Sequence, residues 1–117
     1  MSKPNWKTAI EFEDITYKKS DDGVARIAFN HPDVRNAFRP HTTSELLIAF
    51  ADAHEDTSVG VVLLSAEGPS SKDGVYSFCS GGDQKARGKE GYVGQDGYHR
   101  LNILEVQRQI RFMPKAV

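Results

Sequence analysis

The residues with the clearest chemical potential lie in one stretch, FCSGGDQKARGKEGYVG, from Phe78 to Gly94. Ser80, Gly81 and Gly82 carry so little side chain that their backbone N–H groups stand bare beside Asp83. A strand ending at Cys79 and a helix beginning near Asp83 would aim those donors, and the positive end of the helix, at one point. Such a cluster can hold a carbonyl oxygen that gains negative charge during a reaction. Lys85 and Arg87 follow within reach of ligand phosphates. Residue chemistry alone favours a plainer reading, a tight glycine turn with solvated cations, because glycine turns are common and anion holes rare.

Other chemistries fit the residues less well. Gly82 and Gly88 enclose five residues where a P-loop needs four, and Lys89 is followed by Glu90 rather than a hydroxyl that could bind magnesium. No G-x-G-x-x-G and no G-x-S-x-G pattern occurs. His31, His41, His54 and His99 are scattered, without the helical pair or C-x-x-C that builds a metal site, so no metal is expected. His41 and His99 read as solvent-facing or core-edge residues. Cys79 has no histidine near it in sequence and reads as structural. Asp83 beside a forming oxyanion would repel it, so a helix-capping role suits it better than that of a base.

The elements that must position this stretch are legible on either side. Residues 1–12 read as a loosely held arm, and residues 13–117 as the start of a folded domain that the chain does not complete. Asp14 to Lys19 and Val24 to Asn30 read as strands joined by the hairpin signal Asp21-Asp22-Gly23. His31-Pro32 ends the second strand, since proline cannot donate to a ladder. Pro40 suits a first helical turn, with Thr42 or Thr43 as cap and Glu45 close behind. Leu46, Leu47, Phe50 and Ala53 then recur at helical spacing. The run Val59 to Leu64 reads as a strand covered on both faces. Eight of the ten glycines fall between Gly68 and Gly97, which marks a loop-dominated region. From about Leu101 a second helix carries Leu101, Leu104, Ile110 and Met113 on a face broadened by Ile103, Val106 and Phe112, and Pro114 ends it. Lys115-Ala116-Val117 reads as the first residues of another strand. A helix this apolar implies a core that continues in further residues or in a partner.

Bulk composition narrows the function. A chain of 117 residues fits one small domain, and 38% apolar with 26% charged residues is globular rather than disordered. The net charge of −1 provides no field to attract nucleic acid or an anionic membrane. The longest apolar run is far short of a membrane span, and MSKPNWKTAIEF lacks the apolar core of a signal peptide. A single cysteine fits a reducing cytoplasm.

Together, VRNAFRP (Val34 to Pro40), VGVVLL (Val59 to Leu64), FCSGGDQKARG (Phe78 to Gly88) and LNILEVQRQIRFMPK (Leu101 to Lys115) resemble the crotonase, or enoyl-CoA hydratase/isomerase, superfamily. The SGGDQ run followed by Lys85 and Arg87 is most similar to its naphthoyl-CoA synthase branch in menaquinone biosynthesis. The resemblance covers nearly the whole chain from Phe12 onward. It implies an α/β fold, the N-terminal part of a crotonase-type ββα spiral, cut short. It implies a lyase that closes the ring of 2-succinylbenzoyl-CoA by an intramolecular Claisen-type condensation, with the enolate in a backbone oxyanion hole. Gly82 would supply one N–H of that hole. Arg35 would meet the CoA portion, and Ser80, Gly81, Gly82, Asp83 and Gln84 would line the thioester and adenine pocket. Lys85 and Arg87 would position the ligand and a mobile loop, and Tyr92 would close over the acyl group. On residue type alone Arg35 reads as a surface arginine, Lys85 and Arg87 as a solvated pair, and Tyr92 as a loop residue.

The resemblance requires no cofactor in this segment. Some members use bicarbonate as the base, and the residues that decide this follow Val117, as does the second oxyanion donor. It also implies a homo-trimer or homo-hexamer. Two rivals remain: another acyl-CoA enzyme such as an enoyl-CoA hydratase, or an inactive fragment that binds CoA or packs in an oligomer. The isolated chain is expected to lack activity and to expose apolar surface along the Leu101–Met113 helix.

Overall fold

The computed structural model describes residues 5–83 and 103–117. Its frame is a four-stranded sheet in sequence order: β1 (Trp6–Ile10), β2 (Ile15–Ser20), β3 (Val24–Phe29) and β4 (Val61–Ala66). The pairs β1/β2 and β2/β3 are antiparallel, and β3/β4 is parallel. Parallel neighbours need a crossover. A short 3₁₀ turn, Pro32–Val34, and helix α1, Pro40–Glu55, supply it.

Each element follows from its residues. Gly23, at φ +90, makes the β2–β3 turn that Asp21-Asp22-Gly23 signals, a conformation open to glycine and costly for most other residues. Ile15 and Tyr17 alternate with more exposed neighbours on β2, and Phe29 and Ile27 oppose them in register on the buried face. Leu46, Ala49, Phe50 and Ala53 of α1 close over that face and make, with Val59 and Val62, one core cluster. Helix α2, Ile103–Phe112, adds Val106 to it, as does Met113 just beyond.

Three expectations change. The arm expected over residues 1–12 is in part a strand: Trp6–Ile10 pairs with β2, its register interrupted between Thr8 and Ile10. Its backbone ladder, rather than any apolar alternation, holds it at the sheet edge. The run expected to be covered on both faces is covered on one, since Val62 is buried while Val61 and Leu63 are 37% and 49% exposed. The cap of α1 is Arg39 rather than Thr42 or Thr43; Thr42 sits one turn in and its hydroxyl accepts the Arg39 N–H at 3.2 Å.

The expected final strand is present as one rung. Ala116 bridges Val61 in parallel, and its carbonyl accepts the Val62 N–H at 2.8 Å. The apolar breadth expected of the second helix is visible within α2, where Leu104 and Phe112 are 74% and 71% exposed.

Candidate active site

The VRNAF segment and the SGGD segment run side by side. The Ser80 N–H donates to the Arg35 carbonyl at 3.0 Å, the Phe38 N–H to the Gly81 carbonyl at 2.9 Å, and the Asp83 N–H to the Phe38 carbonyl at 2.7 Å. Phe38 and Gly82 thereby form a parallel bridge. In such a bridge one residue spends both its N–H and its C=O on the neighbours of the other. Phe38 is the one that spends them.

This settles where the Gly82 amide points. A trans peptide holds its C=O and N–H in opposite directions. The Gly81 carbonyl turns toward Phe38, so the Gly82 N–H in the same peptide turns away. Among the described residues no acceptor takes the Gly82 N–H, and none takes that of Gly81. Ser80 and Asp83, by contrast, have spent theirs. Gly81 makes the geometry possible at φ +112. A Cβ there would meet nothing within 4 Å, so glycine contributes backbone conformation at this position rather than space.

The VRNAF segment is fixed by Asn36, which is fully buried. Its side-chain oxygen accepts the His31 N–H at 2.8 Å, and its amide donates to the carbonyls of Glu67 and Ser77 at 3.0 and 2.9 Å. One side chain thus ties the end of β3, the end of β4 and the approach to Cys79. Arg35 and Asn36 are both left-handed, at φ 56 and 54. Asparagine enters that region at low cost; the arginine is held there by its N–H bond to Pro32 and the Ser80 bond to its carbonyl. The Arg35 guanidinium forms a two-pronged ion pair with Asp73, at 3.0 Å for one contact and closer for the other. That pair raises the arginine's pKa and lowers the aspartate's.

A polar cluster stands behind the bridge. The Asp14 carboxylate, 1% exposed as a residue, accepts from Arg39 Nε at 2.8 Å and Nη2 at 2.7 Å, and from the Thr42 hydroxyl at 2.6 Å. His31 Nε2 lies 3.1 Å from it. Burial pushes the Asp14 carboxyl up, but the bonds from Arg39 and Thr42 and the charge of Arg39 outweigh it and hold the group at about 2. Asp14, His31, Ala37, Arg39, Thr42 and Asp83 line a polar cavity of about 160 Å³. A larger one, about 520 Å³, lies between α1 and α2 among Leu47, His54, Glu105 and Phe112, with no lining residue from either bridging segment.

Glu13, Asp14 and His41 bring ligand-type atoms within 4.8 Å of one another. Those atoms face cations and acids already in place: Asp14 faces Arg39, and His41 Nε2 is 3.0 Å from Glu45 and 3.2 Å from Glu13. His41 is therefore set between the Glu13 and Glu45 carboxylates at the core edge. Glu45 also accepts the backbone N–H groups of Glu13 and Asp14 at 3.0 and 2.7 Å, anchoring the start of β2 rather than capping α1. Cys79 packs half-buried against the core.

Of the site residues expected from sequence, Arg35, Ser80, Gly81, Gly82 and Asp83 are brought together. Gln84, Lys85, Arg87 and Tyr92 lie outside the described residues, as does the helix expected to begin near Asp83. Asn36, Phe38, Asp14 and Asp73 were not singled out. Asn36 had a signal, an asparagine after a proline turn, where left-handed backbone is common. The other three act through partners far along the chain and leave no local trace.

The family described as enoyl-CoA hydratase/isomerase matches residues 19–117. A 1,4-dihydroxy-2-naphthoyl-CoA synthase of Mycobacterium tuberculosis is 49% identical over 126 aligned positions, covering 96% of this chain and 40% of that protein. A solved enoyl-CoA hydratase from Mycobacterium smegmatis is 35% identical with a TM-score of 0.54, covering 67% of this chain and 24% of the other. A solved structure from Legionella pneumophila, described as an enoyl CoA hydratase/isomerase (crotonase), is 23% identical with a TM-score of 0.71 over 91% of this chain and 40% of the other, and shares the fold.

Proposed function

The chain belongs to the enoyl-CoA hydratase/isomerase family, and from that premise we propose that it serves 1,4-dihydroxy-2-naphthoyl-CoA synthesis. It spans about 40% of the length of the curated relatives it matches. The reaction is the intramolecular Claisen-type ring closure of 2-succinylbenzoyl-CoA. A base takes a proton from the carbon next to the thioester carbonyl, the electron pair moves onto the thioester oxygen, and the enolate carbon then attacks the aromatic carboxyl carbon, from which water leaves as the ring closes. The Gly82 N–H donates to that oxygen as its charge develops, which stabilises the enolate more than the neutral thioester. Arg35 and the main chain of Ser80 to Asp83 hold the CoA thioester, together with Gln84, Lys85, Arg87 and Tyr92. The complete protein assembles as a homo-trimer or homo-hexamer.

One observation carries the reading: the bridge to Phe38 turns the Gly82 N–H outward, and no described residue takes it. Among the described residues no helix is long and apolar enough to cross a membrane. The test is turnover by the complete gene product of 2-succinylbenzoyl-CoA against a short enoyl-CoA. Ring closure as the faster reaction supports the proposal. Hydration of the enoyl-CoA with no ring closure overturns it in favour of the hydratase reading suggested by the names of the solved neighbours.

A further inference from the structure

We propose that Asp14, Thr42 and Arg39 form a positioning clamp that fixes the plane of the Phe38–Arg39 peptide and, through it, the direction of the Gly82 N–H. The inference rests on the reading that this N–H holds the enolate oxygen. Its observations are separate from that reading.

The Phe38–Arg39 peptide is held from both sides. Its carbonyl accepts the Asp83 N–H at 2.7 Å. Its N–H, that of Arg39, donates to Thr42 Oγ1 at 3.2 Å. The Thr42 hydroxyl spends its own hydrogen on Asp14 Oδ2 at 2.6 Å, so its lone pairs are oriented toward the peptide. Asp14 also grips the Arg39 side chain with both oxygens. A bidentate arginine–carboxylate pair fixes direction as well as distance. A chain of bonds therefore runs from the buried carboxylate through Thr42 to the 38–39 peptide and on to the amide of Asp83, one residue beyond Gly82.

The clamp is tight where a helix cap alone would not need to be. A cap requires one acceptor for the first-turn amides. Here a charged pair with a buried carboxylate, 0% exposed at the side chain, is added behind it. Asp83 completes the wall of the small cavity shared by Asp14, Arg39 and Thr42, which puts the clamp and the motif in one unit. None of the three clamp residues is in the glycine motif, so each acts on it as a positioning residue.

The test separates the clamp from the function beneath it. Thr42→Val keeps the shape and removes the hydroxyl; Thr42→Ser restores it; Tyr17→Phe removes a buried bond at the other end of α1 as a control. Amide hydrogen exchange of the 117-residue chain should show the ratio of Asp83 to Ile27 exchange rising on the order of tenfold in Thr42→Val and staying put in Thr42→Ser and Tyr17→Phe. In the complete gene product, kcat should fall about tenfold in Thr42→Val with KM within about twofold, because an oxyanion donor acts on the transition state. Should Thr42→Val not fold, Arg39→Lys carries the same expectation, since it keeps the charge and gives up the fork. An unchanged Asp83 ratio overturns the clamp whatever the activity. So does a kcat loss in Tyr17→Phe equal to that in Thr42→Val. A raised ratio with unchanged turnover leaves the clamp standing and removes the assignment of Gly82.

Discussion

The two ends of α1 carry polar clusters of similar chemistry and different consequence. At the N-terminal end, Asp14 grips Arg39 and Thr42 beside the glycine motif. At the C-terminal end, the Tyr17 hydroxyl donates to Asp52 at 2.6 Å, and Lys19 pairs with Asp52 and Asp56 at 2.8 and 2.6 Å. Lys115 there donates to the Ala53 and Asp56 carbonyls at 2.7 and 2.6 Å, a cation on the negative end of the helix. Burial and the neighbouring Asp52 push the Tyr17 hydroxyl well above its usual range. By bond density the two ends could be exchanged. What separates them is the backbone next door. The N-terminal cluster abuts a peptide pair whose outward amide has no described acceptor, while the C-terminal cluster holds helix and sheet together and ties in the segment that bridges Val61. A perturbed carboxylate or a dense ion-pair network therefore marks a structural joint as readily as a site, and adjacency to an unspent donor is the better guide.

The comparison breaks most sharply at Asp14. Asp14→Ala leaves the Arg39 guanidinium, 38% exposed, and the Thr42 hydroxyl without their buried partner and is expected to cost about 2–3 kcal/mol in urea unfolding, together with loss of turnover. Lys115→Met at the far end gives up two charge-assisted bonds, to the carbonyls of the fully buried Ala53 and of Asp56. It should cost about 1–2 kcal/mol and leave the exchange of the Asp83 amide unaltered. Tyr17→Phe should cost about 1 kcal/mol, again without effect on turnover. A larger loss of activity from Lys115→Met than from Asp14→Ala would erase the distinction between the ends.

Acid sharpens it. The Asp14 pKa is lowered in the folded protein to about 2, so its contribution is present above the unfolded carboxylate pKa and is lost as pH falls through the range from about 4 to 2. Asp52 and Asp56 are lowered too, by Lys19 and their hydroxyl partners, and lose their contributions in the same direction. Stability measured from pH 5 to pH 2 should fall less steeply in Asp14→Asn than in the wild type, with a remaining slope from Asp52, Asp56 and the other lowered carboxylates, Asp33, Glu67 and Asp73. An identical slope in both would mean that Asp14 is not held ionised by Arg39.

The sequence made most of the frame legible. The Asp21-Asp22-Gly23 turn, the Pro40 start of α1 and the Pro114 stop of α2 are local signals, and local chemistry decides them. β1 escaped because WKTAI has no alternating apolar face and is held by backbone pairing at an edge. The run at Val59 to Leu64 showed its apolar content but not which face finds cover, and Leu63 remains half exposed. At the site, the small residues of SGGD announced a close approach of backbone. They did not announce Phe38, whose contribution is its peptide groups and not its ring. Nor did they announce the pairing of Asp14 with Thr42, which the folding of β2 against α1 brings about.

The central claim concerns the amide of Gly82, and uniform ¹⁵N labelling reads it together with its neighbours. The protein is titrated with a CoA thioester that enolises readily. The Gly82 amide proton should move strongly downfield as the ligand binds, while the amides of Phe38 and Asp83, already bonded to Gly81 and Phe38, move little. A Gly82 amide that is protected in the free protein and indifferent to the ligand would contradict the account.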